Sequence, residues 1–195
     1  MRFAFPERER VIPEKGVVST MAQIETPMRL HSYPEIKPVK SSTEAGRVSD
    51  FLLGEHCFDD QRFTPGETEQ LRWLPIRSLQ EHHVHCWYEE EDGEIISAII
   101  FVENEHRSGG YRLEYFGVHR GFRHRKLGWK LLDAMIRFCV ARQGRYIETF
   151  TCDLPEYESA RRLFERNGFQ LMCLLPEYYY PGEGKLLYLK LLNAS

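Results

Sequence analysis

No apolar stretch in this chain approaches the roughly 18 residues that a membrane-spanning helix needs. The first residues, MRFAFPERERVIPEKG, lack the apolar core of a secretion signal. The formal net charge is only −3, which argues against a general nucleic-acid binder. The five cysteines are odd in number and have no paired spacing, so they favour a reducing compartment over a disulfide framework. These absences predict a cytoplasmic protein that binds neither membranes nor nucleic acids.

The composition is that of a folded protein with an appendage. Apolar residues make up 42% of the sequence, which is enough for a core. Residues 1–34 carry four prolines and no sustained hydrophobic period, so we expect an extended or disordered N-terminal arm. Residues 35–195 are long enough to form one domain.

Local patterns outline the elements of this domain. Ser41 and Glu44 have the spacing of a capping box, which predicts a helix from there to about Cys57. The chain from 58 to 79 is interrupted by prolines and predicts one short helix. The whole domain is expected to follow the order β-α-(α)-β-β-β-α-β-α-β-β, which is typical of a mixed α/β sheet.

Two hairpins frame the predicted sheet. Asp92-Gly93 is a strong turn signal and predicts a hairpin over 84–91 and 94–103. The acidic residues clustered there are interpreted as its solvated end. The last two strands are predicted at 169–175 and 185–192, joined by the loop 176–184.

The stretch 111–140 is the most informative part of the sequence. It begins with an alternating strand that is predicted to place Leu113, Tyr115 and Gly117 on one face. A short basic turn follows, and then an amphipathic helix. Together these patterns predict a strand–turn–helix unit.

Cations surround the start of that helix. Arg120, Arg123, Arg125 and Lys126 precede Gly128 in the first turn. A helix N-terminus offers unpaired N–H groups and the positive end of the macrodipole, so this turn suits a pyrophosphate. The alternative is a basic, solvated helix start without a ligand.

The run from Val118 to Leu132 resembles the acetyl-CoA signature of the GNAT N-acetyltransferase superfamily. Arg123 and Gly128 match its ends, and Lys126 replaces its first glycine. The run 157–169 resembles the second signature of that superfamily. Its matching residues are Ala160, Leu163, Gly168 and Phe169, whereas Tyr157 and Phe164 depart from the pattern. The resemblance covers roughly residues 82–192.

The resemblance implies a mixed, mainly antiparallel twisted sheet of about seven strands flanked by helices, the GNAT-like acyl-CoA N-acyltransferase fold. It also implies acetyl-CoA as cosubstrate, with no metal, and acetyl transfer to a primary amine by direct attack in a ternary complex. A lysine can replace glycine at 126 if that residue is right-handed helical. The residues expected to contact the cofactor are Phe116, Gly117, Val118, Arg123, His124, Arg125, Lys126, Leu127, Gly128, Trp129, Ala160 and Phe164.

The catalytic groups are assigned from the same resemblance. Glu114 lies on the strand where many relatives carry their general base, although it is equally well explained by a structural pair with Arg112 or Arg145. Relatives that act on protein N-termini have a base where this chain has Cys152. Phe164 stands where relatives have a proton-donating tyrosine, so Tyr157 is the candidate acid, and simple packing of its ring is the alternative.

The acceptor is left open by the sequence. Tyr178, Tyr179 and Tyr180 resemble a loop that lines the peptide groove of N-terminal acetyltransferases, or they form a packed lid. The expected acceptor is a peptide N-terminus or a small amine, and the protein is expected to be a monomer or a homodimer. The alternative function is a catalytically weak CoA-binding regulatory or assembly module. His83 and His85 share a strand face without a second ligand pair, so no metal site is expected.

Overall fold

The computed structural model describes residues 35–192, and the predicted arm over residues 1–34 lies outside them. The predicted element order is confirmed. The elements are β1 (Lys37–Pro38), α1 (Ser42–Leu53), α2 (Pro65–Arg77), β2 (Val84–Glu91), β3 (Glu94–Glu103), β4 (Gly110–Val118), a 3₁₀ turn (Arg120–Arg125), α3 (Leu127–Ala141), β5 (Tyr146–Cys152), a 3₁₀ turn (Pro155–Tyr157), α4 (Glu158–Arg166), β6 (Gln170–Tyr180) and β7 (Glu183–Leu191).

The sheet has seven strands in the order β1-β2-β3-β4-β5-β7-β6. Neighbouring strands are antiparallel except for β4 and β5, which are parallel. Successive residues of β3 alternate between two cores, because Ile100 packs with α1 and α2 whereas Phe101 packs with α3 and α4. The sheet is therefore covered by a pair of helices on each face, as the resemblance implied.

Both helices of the first pair begin with a capping box. Ser41 and Glu44 satisfy each other's backbone N–H groups at the start of α1, as predicted. The helix ends at Leu53, earlier than expected, and Cys57 follows it as a buried thiol. The helix α2 is longer than predicted, because Pro65 occupies its first position, where no N–H bond is lost, and Pro75 lies in its last turn.

The predicted alternation in β4 is wrong at one point. Leu113 packs in the core with α3, whereas Tyr115 packs on the opposite face and donates a hydrogen bond to Gln70 of α2. The register against β3 shifts at this position, since Phe101 pairs with Leu113 and Ile100 with Tyr115. A β-bulge at Glu114 reverses the alternation, and bulges of this kind re-aim a side chain.

The strands β4 and β5 pair over only four residues each, Gly110–Leu113 with Tyr146–Thr149. Beyond this short ladder the two strands no longer pair, although β4 continues to Val118 and β5 to Cys152. The edge of β4 that faces β5 is therefore open from Glu114 onward. A cleft begins where the two strands part.

The predicted loop 176–184 is instead part of a long hairpin. The strand β6 continues to Tyr180, and Pro181-Gly182 alone form the turn to β7, with Gly182 at φ 82°. Pro176 is tolerated because β6 lies at the edge of the sheet, where a missing N–H breaks no ladder bond. Tyr178, Tyr179 and Tyr180 are thus held in a strand.

Candidate functional site

A cavity that is open to solvent lies where β4 and β5 part. Side chains from β4, β5, α4, the segment between α1 and α2, and the β6–β7 hairpin line it. Among the predicted site residues, the cavity brings together Glu114, Phe116, Tyr157, Ala160, Phe164, Tyr179 and Tyr180.

The basic turn differs from the expected backbone conformation at Lys126. This residue has φ 59° and ψ 19°, which is left-handed rather than right-handed helical. The left-handed region is the one that glycine adopts without a steric penalty. The resemblance places glycine at this position, and the structure supplies the physical reason.

Substituting Lys126 with glycine is expected to raise the free energy of unfolding by about 1 kcal/mol, because the strain of a left-handed side chain is removed. Lys126→Val is expected to lower it by about 1 kcal/mol, because a β-branched residue tolerates this conformation least. Urea unfolding of the two variants and the parent protein measures the difference. Equal midpoints for Lys126→Val and the parent would contradict the strain.

The first turn of α3 has no side-chain cap among the described residues. The side chain of Lys126 makes no capping hydrogen bond, and no acidic residue lies in the first turn. Within residues 35–192, the N–H groups at the start of the helix therefore have no capping side chain, and they accompany the positive end of its dipole. His124, Lys126 and Trp129 are exposed around this end.

The remaining cations of the turn pair with acidic residues and fix its position. Arg123 donates to Asp59 at 2.6 Å and to the Cys57 carbonyl at 2.8 Å, and Arg120 contacts Asp59 at 3.2 Å. The turn is thereby attached to the segment that follows α1. Arg123 thus has a structural role that the sequence did not indicate.

The acidic residues of the β2–β3 hairpin were interpreted as its solvated end, but two of them have structural roles. Glu89 is fully buried, accepts from Ser97 at 2.6 Å and pairs with Lys130 of α3 at 2.6 Å. Glu91 pairs with Arg125 of the basic turn. These carboxylates compensate cations at the start of α3 and hold that helix against the sheet.

Gly128 sits where α3 approaches β4 most closely. A Cβ atom at this position would lie 2.9 Å from Cζ of Phe116 and 3.5 Å from Cγ2 of Val118. Gly117 faces the other way, since a Cβ there would lie 2.2 Å from the Cys57 sulfur. Gly128 therefore lets the start of α3 pack closely against Phe116 and Val118 at the end of β4.

Glu114 lies at the bulge and lines the cavity, with its side chain only 9% exposed. Burial raises the pKa of this carboxyl, and the nearby Arg112 guanidinium, which donates to it at 2.6 Å, opposes that rise. The pair with Arg112 and the position in the cavity thus occur together. Glu148 contacts Arg112 at 3.9 Å but does not line the cavity.

Tyr157 and Cys152 line the cavity opposite β4. Burial raises the pKa of Tyr157, so this phenol remains protonated well into the alkaline range. Burial also raises the pKa of the Cys152 thiol, which makes it a poor nucleophile. Phe164 lies beside them, with its ring packed against Phe169 and Tyr188 in the core.

The wall between α1 and α2 was not anticipated from the sequence. Asp60, Arg62 and Phe63 reach the cavity from this segment and Glu67 from the first turn of α2, where the capping box that includes Glu67 is the recognisable motif. Arg62 donates to Glu183 of β7 at 2.5 Å. Of the three tyrosines, Tyr179 and Tyr180 line the cavity, whereas Tyr178 is 52% exposed beside Lys185.

The histidine cluster has ordinary structural roles. His85 packs between the rings of Phe101 and Phe138, and burial lowers its pKa to about 4. Within residues 35–192, no group of three His, Cys, Asp or Glu side chains is placed to hold a metal ion. None of the helices described there is long and apolar enough to cross a membrane.

The acetyltransferase (GNAT) family model matches residues 52–169, which include β4, the basic turn, α3 and α4. A search of curated proteins found no significant match.

Three solved structures illustrate the fold that the chain shares. A GNAT-family protein from Desulfovibrio desulfuricans is 22% identical, with a TM-score of 0.71 over 82% of this chain and 99% of that chain. The ribosomal-protein-S18-alanine N-acetyltransferase from Escherichia coli is 14% identical, with a TM-score of 0.65 over 84% and 96% of the two chains. An aminoglycoside 6'-N-acetyltransferase, solved in complex with coenzyme A, is 13% identical, with a TM-score of 0.63 over 80% and 96%.

Proposed function

Because the family match spans more than half of its length, the chain belongs to the GNAT acetyltransferase family, and we propose that it transfers an acetyl group from acetyl-CoA to a primary amine. The observation that carries the proposal is the cleft between β4 and β5, which opens beside the uncapped start of α3. The cleft would hold the pantetheine arm with its thioester, and the start of α3 would hold the pyrophosphate next to it. The acceptor would be a peptide N-terminus or a small amine.

The residues present fit acetyl-CoA. The N–H groups of Leu127, Gly128 and Trp129 at the start of α3 would hold the pyrophosphate, and His124, Arg125 and Lys126 would add positive charge. The open edge of β4 from Phe116 to Val118 would pair with the amides of the pantetheine arm. Ala160 and Phe164 would pack against the arm from α4.

Glu114 is proposed as the general base. When bound, acetyl-CoA supplies an activated acyl carbonyl and a thiolate leaving group. The acceptor amine must lose a proton to attack, and Glu114 lies in the cavity with a raised pKa that favours proton uptake. Since Cys152 is not activated, direct attack by the amine is favoured over transfer through an acyl-cysteine.

Tyr157 is proposed to protonate the departing thiolate, in place of the tyrosine that Phe164 replaces. It lines the same cavity and stays protonated at neutral pH. Removing its hydroxyl in Tyr157→Phe is expected to lower kcat about tenfold, a modest loss because a thiolate already leaves well. The dissociation constant of acetyl-CoA should not change. A kcat equal to that of the parent would remove Tyr157 from the mechanism.

Calorimetric titration with acetyl-CoA, beside desulfo-CoA as a sulfur-free control, tests the cofactor, and turnover on a panel of amines tests the reaction. Micromolar binding of acetyl-CoA together with acetylation of at least one amine is the expected result. Binding without turnover would favour the CoA-binding regulatory or assembly module, which Phe164 and Lys126 motivate. Absence of binding would overturn both functions.

A further inference from the structure

A bridge of ion pairs and a hydrogen bond spans the acceptor side of the cavity. Arg62 donates to Asp60 at 2.9 Å and to Glu183 at 2.5 Å, joining the segment before α2 to the β6–β7 hairpin. The Tyr180 hydroxyl adds a second link, at 3.3 Å to the Phe63 carbonyl. An extended peptide leaving the cavity between these two segments would have to break both links. The bridge therefore favours a small acceptor.

The lining of the cavity is strongly acidic. It contains the carboxylates of Asp60, Glu67, Glu114 and Glu183, whereas Arg62 is the one Lys or Arg among the lining residues of the described chain. Arg62 forms ion pairs with Asp60 and Glu183, and Arg112 forms one with Glu114. An acceptor with an anionic group would be repelled from this lining.

Glu67 differs from the other three carboxylates. One of its oxygens accepts from the Thr64 N–H at 2.8 Å, and among residues 35–192 no Lys, Arg or His forms an ion pair with it. An acceptor that covers Glu67 displaces water from a charge, which is costly unless the acceptor supplies a compensating cation. This carboxylate is therefore a place for a second positive charge.

Three tyrosines share the cavity with Glu67. Tyr115, Tyr157 and Tyr179 all line the cavity from β4, the 3₁₀ turn before α4 and β6. Each has a raised pKa, chiefly from burial, and the charge of Glu67 contributes to the rise in all three. Aromatic rings beside a carboxylate are a favourable environment for an ammonium group, because the ring quadrupole attracts cations.

From the bridge across the cavity, the acidic lining and the tyrosines that share the cavity with Glu67, we infer that the acceptor is a small aliphatic diamine or polyamine. One amine would react beside Glu114 while a second ammonium group pairs with Glu67. This inference rests on the proposed acetyl transfer to an amine. It narrows the acceptor to a class that carries at least two cationic nitrogens.

Steady-state acetylation of two substrates of the same length tests the inference. The compound 1,4-diaminobutane has the second ammonium, and 4-aminobutan-1-ol has a neutral hydroxyl in its place; diamines of three to six carbons and spermidine cover other spacings. We expect the best diamine to exceed the amino alcohol in kcat/KM by about 10- to 100-fold. Equal values for the two classes would overturn the inference.

The variant Glu67→Gln tests whether Glu67 binds the second ammonium group of the acceptor or affects all acceptors equally. Glutamine retains the acceptor for the Thr64 N–H, so the helix cap is preserved. We expect this variant to lose the preference by lowering kcat/KM for the diamine alone, whereas Glu69→Gln, an exposed carboxylate on the same helix, retains it. An equal loss on both substrates would overturn the role of Glu67.

The peptide Ala-Ala-Ser-Gly with a free N-terminus completes the panel. Acetylation of this peptide more efficiently than of any diamine would overturn the inference while leaving amine acetylation intact. If the protein binds acetyl-CoA but acetylates no amine, the proposed function itself fails. The two failures are therefore distinguishable.

Discussion

Replacing Gly128 with glutamate is expected to weaken acetyl-CoA binding by at least about 100-fold. A Cβ atom at 128 already meets Phe116 at 2.9 Å, so a longer side chain must project into the space between the start of α3 and the end of β4. It also places a negative charge at the helix end where the pyrophosphate would bind, and two like charges about 4 Å apart repel by ~1–4 kcal/mol at high to intermediate dielectric. Titration calorimetry measures the loss.

The control for this variant is Gly46→Glu. Gly46 lies inside α1, and a Cβ there meets no atom within 4 Å. It adds the same charge without occupying the site, so its acetyl-CoA affinity should match that of the parent. Thermal unfolding must show that Gly128→Glu still folds. Unchanged affinity in a folded Gly128→Glu variant would remove the start of α3 from the cofactor site.

Glu114→Gln is expected to lower kcat by about 100-fold or more while leaving the acetyl-CoA dissociation constant unchanged. The amide keeps the size of the side chain but cannot accept a proton. Because a general base acts in its deprotonated form, kcat/KM of the parent should rise with pH through the raised pKa of Glu114. That rising limb should be absent from the variant, and the pH–rate profile measures it.

Glu148→Gln is the matched control. Glu148 also contacts Arg112 but lies outside the cavity, so a merely electrostatic effect on Arg112 would affect both variants. We expect Glu148→Gln to keep both kcat and the rising limb. Full activity of Glu114→Gln would leave the pair with Arg112 as the whole role of this carboxylate.

Local sequence patterns predicted most of the fold. The hairpin at Asp92-Gly93 has the predicted strand bounds, because a two-residue Asp-Gly turn is a strong signal that lies within a few residues of the chain. The capping box at Ser41 and Glu44 was equally local. The family was recognised because its two signatures are contiguous in sequence.

The errors lie where tertiary contacts override local pattern. The bulge at Glu114 depends on the register against β3, which alternation within one strand cannot show. The left-handed Lys126 contradicts a preference that holds for most lysines. The tyrosines after Pro176 were assigned to a loop because proline usually ends strands, but an edge strand accommodates it.

The part of the cavity formed by Asp60, Arg62, Glu67 and Glu183 could not be predicted from the sequence. Arg62 and Glu183 are 121 residues apart and belong to segments without a shared motif, yet they meet across the cavity. Asp60 lies before α2 and Glu67 in its first turn, and no local motif indicates that either carboxylate lines the cavity. Long-range ion pairs of this kind are set by the packing of the whole domain.

The short pairing of β4 with β5 divides the sheet into two parts. The strands β1–β4 form one antiparallel block and β5–β7 another, and within residues 35–192 the only strand ladder between the blocks is the one over Gly110–Leu113 and Tyr146–Thr149. At its far end a Cβ on Gly110 would lie 2.2 Å from the Tyr146 ring, so glycine lets the blocks close there. The proposed catalytic residues Glu114 and Tyr157 line the cavity that begins where this ladder ends. A larger residue at 110 would push β4 and β5 apart within the ladder from which that cavity opens.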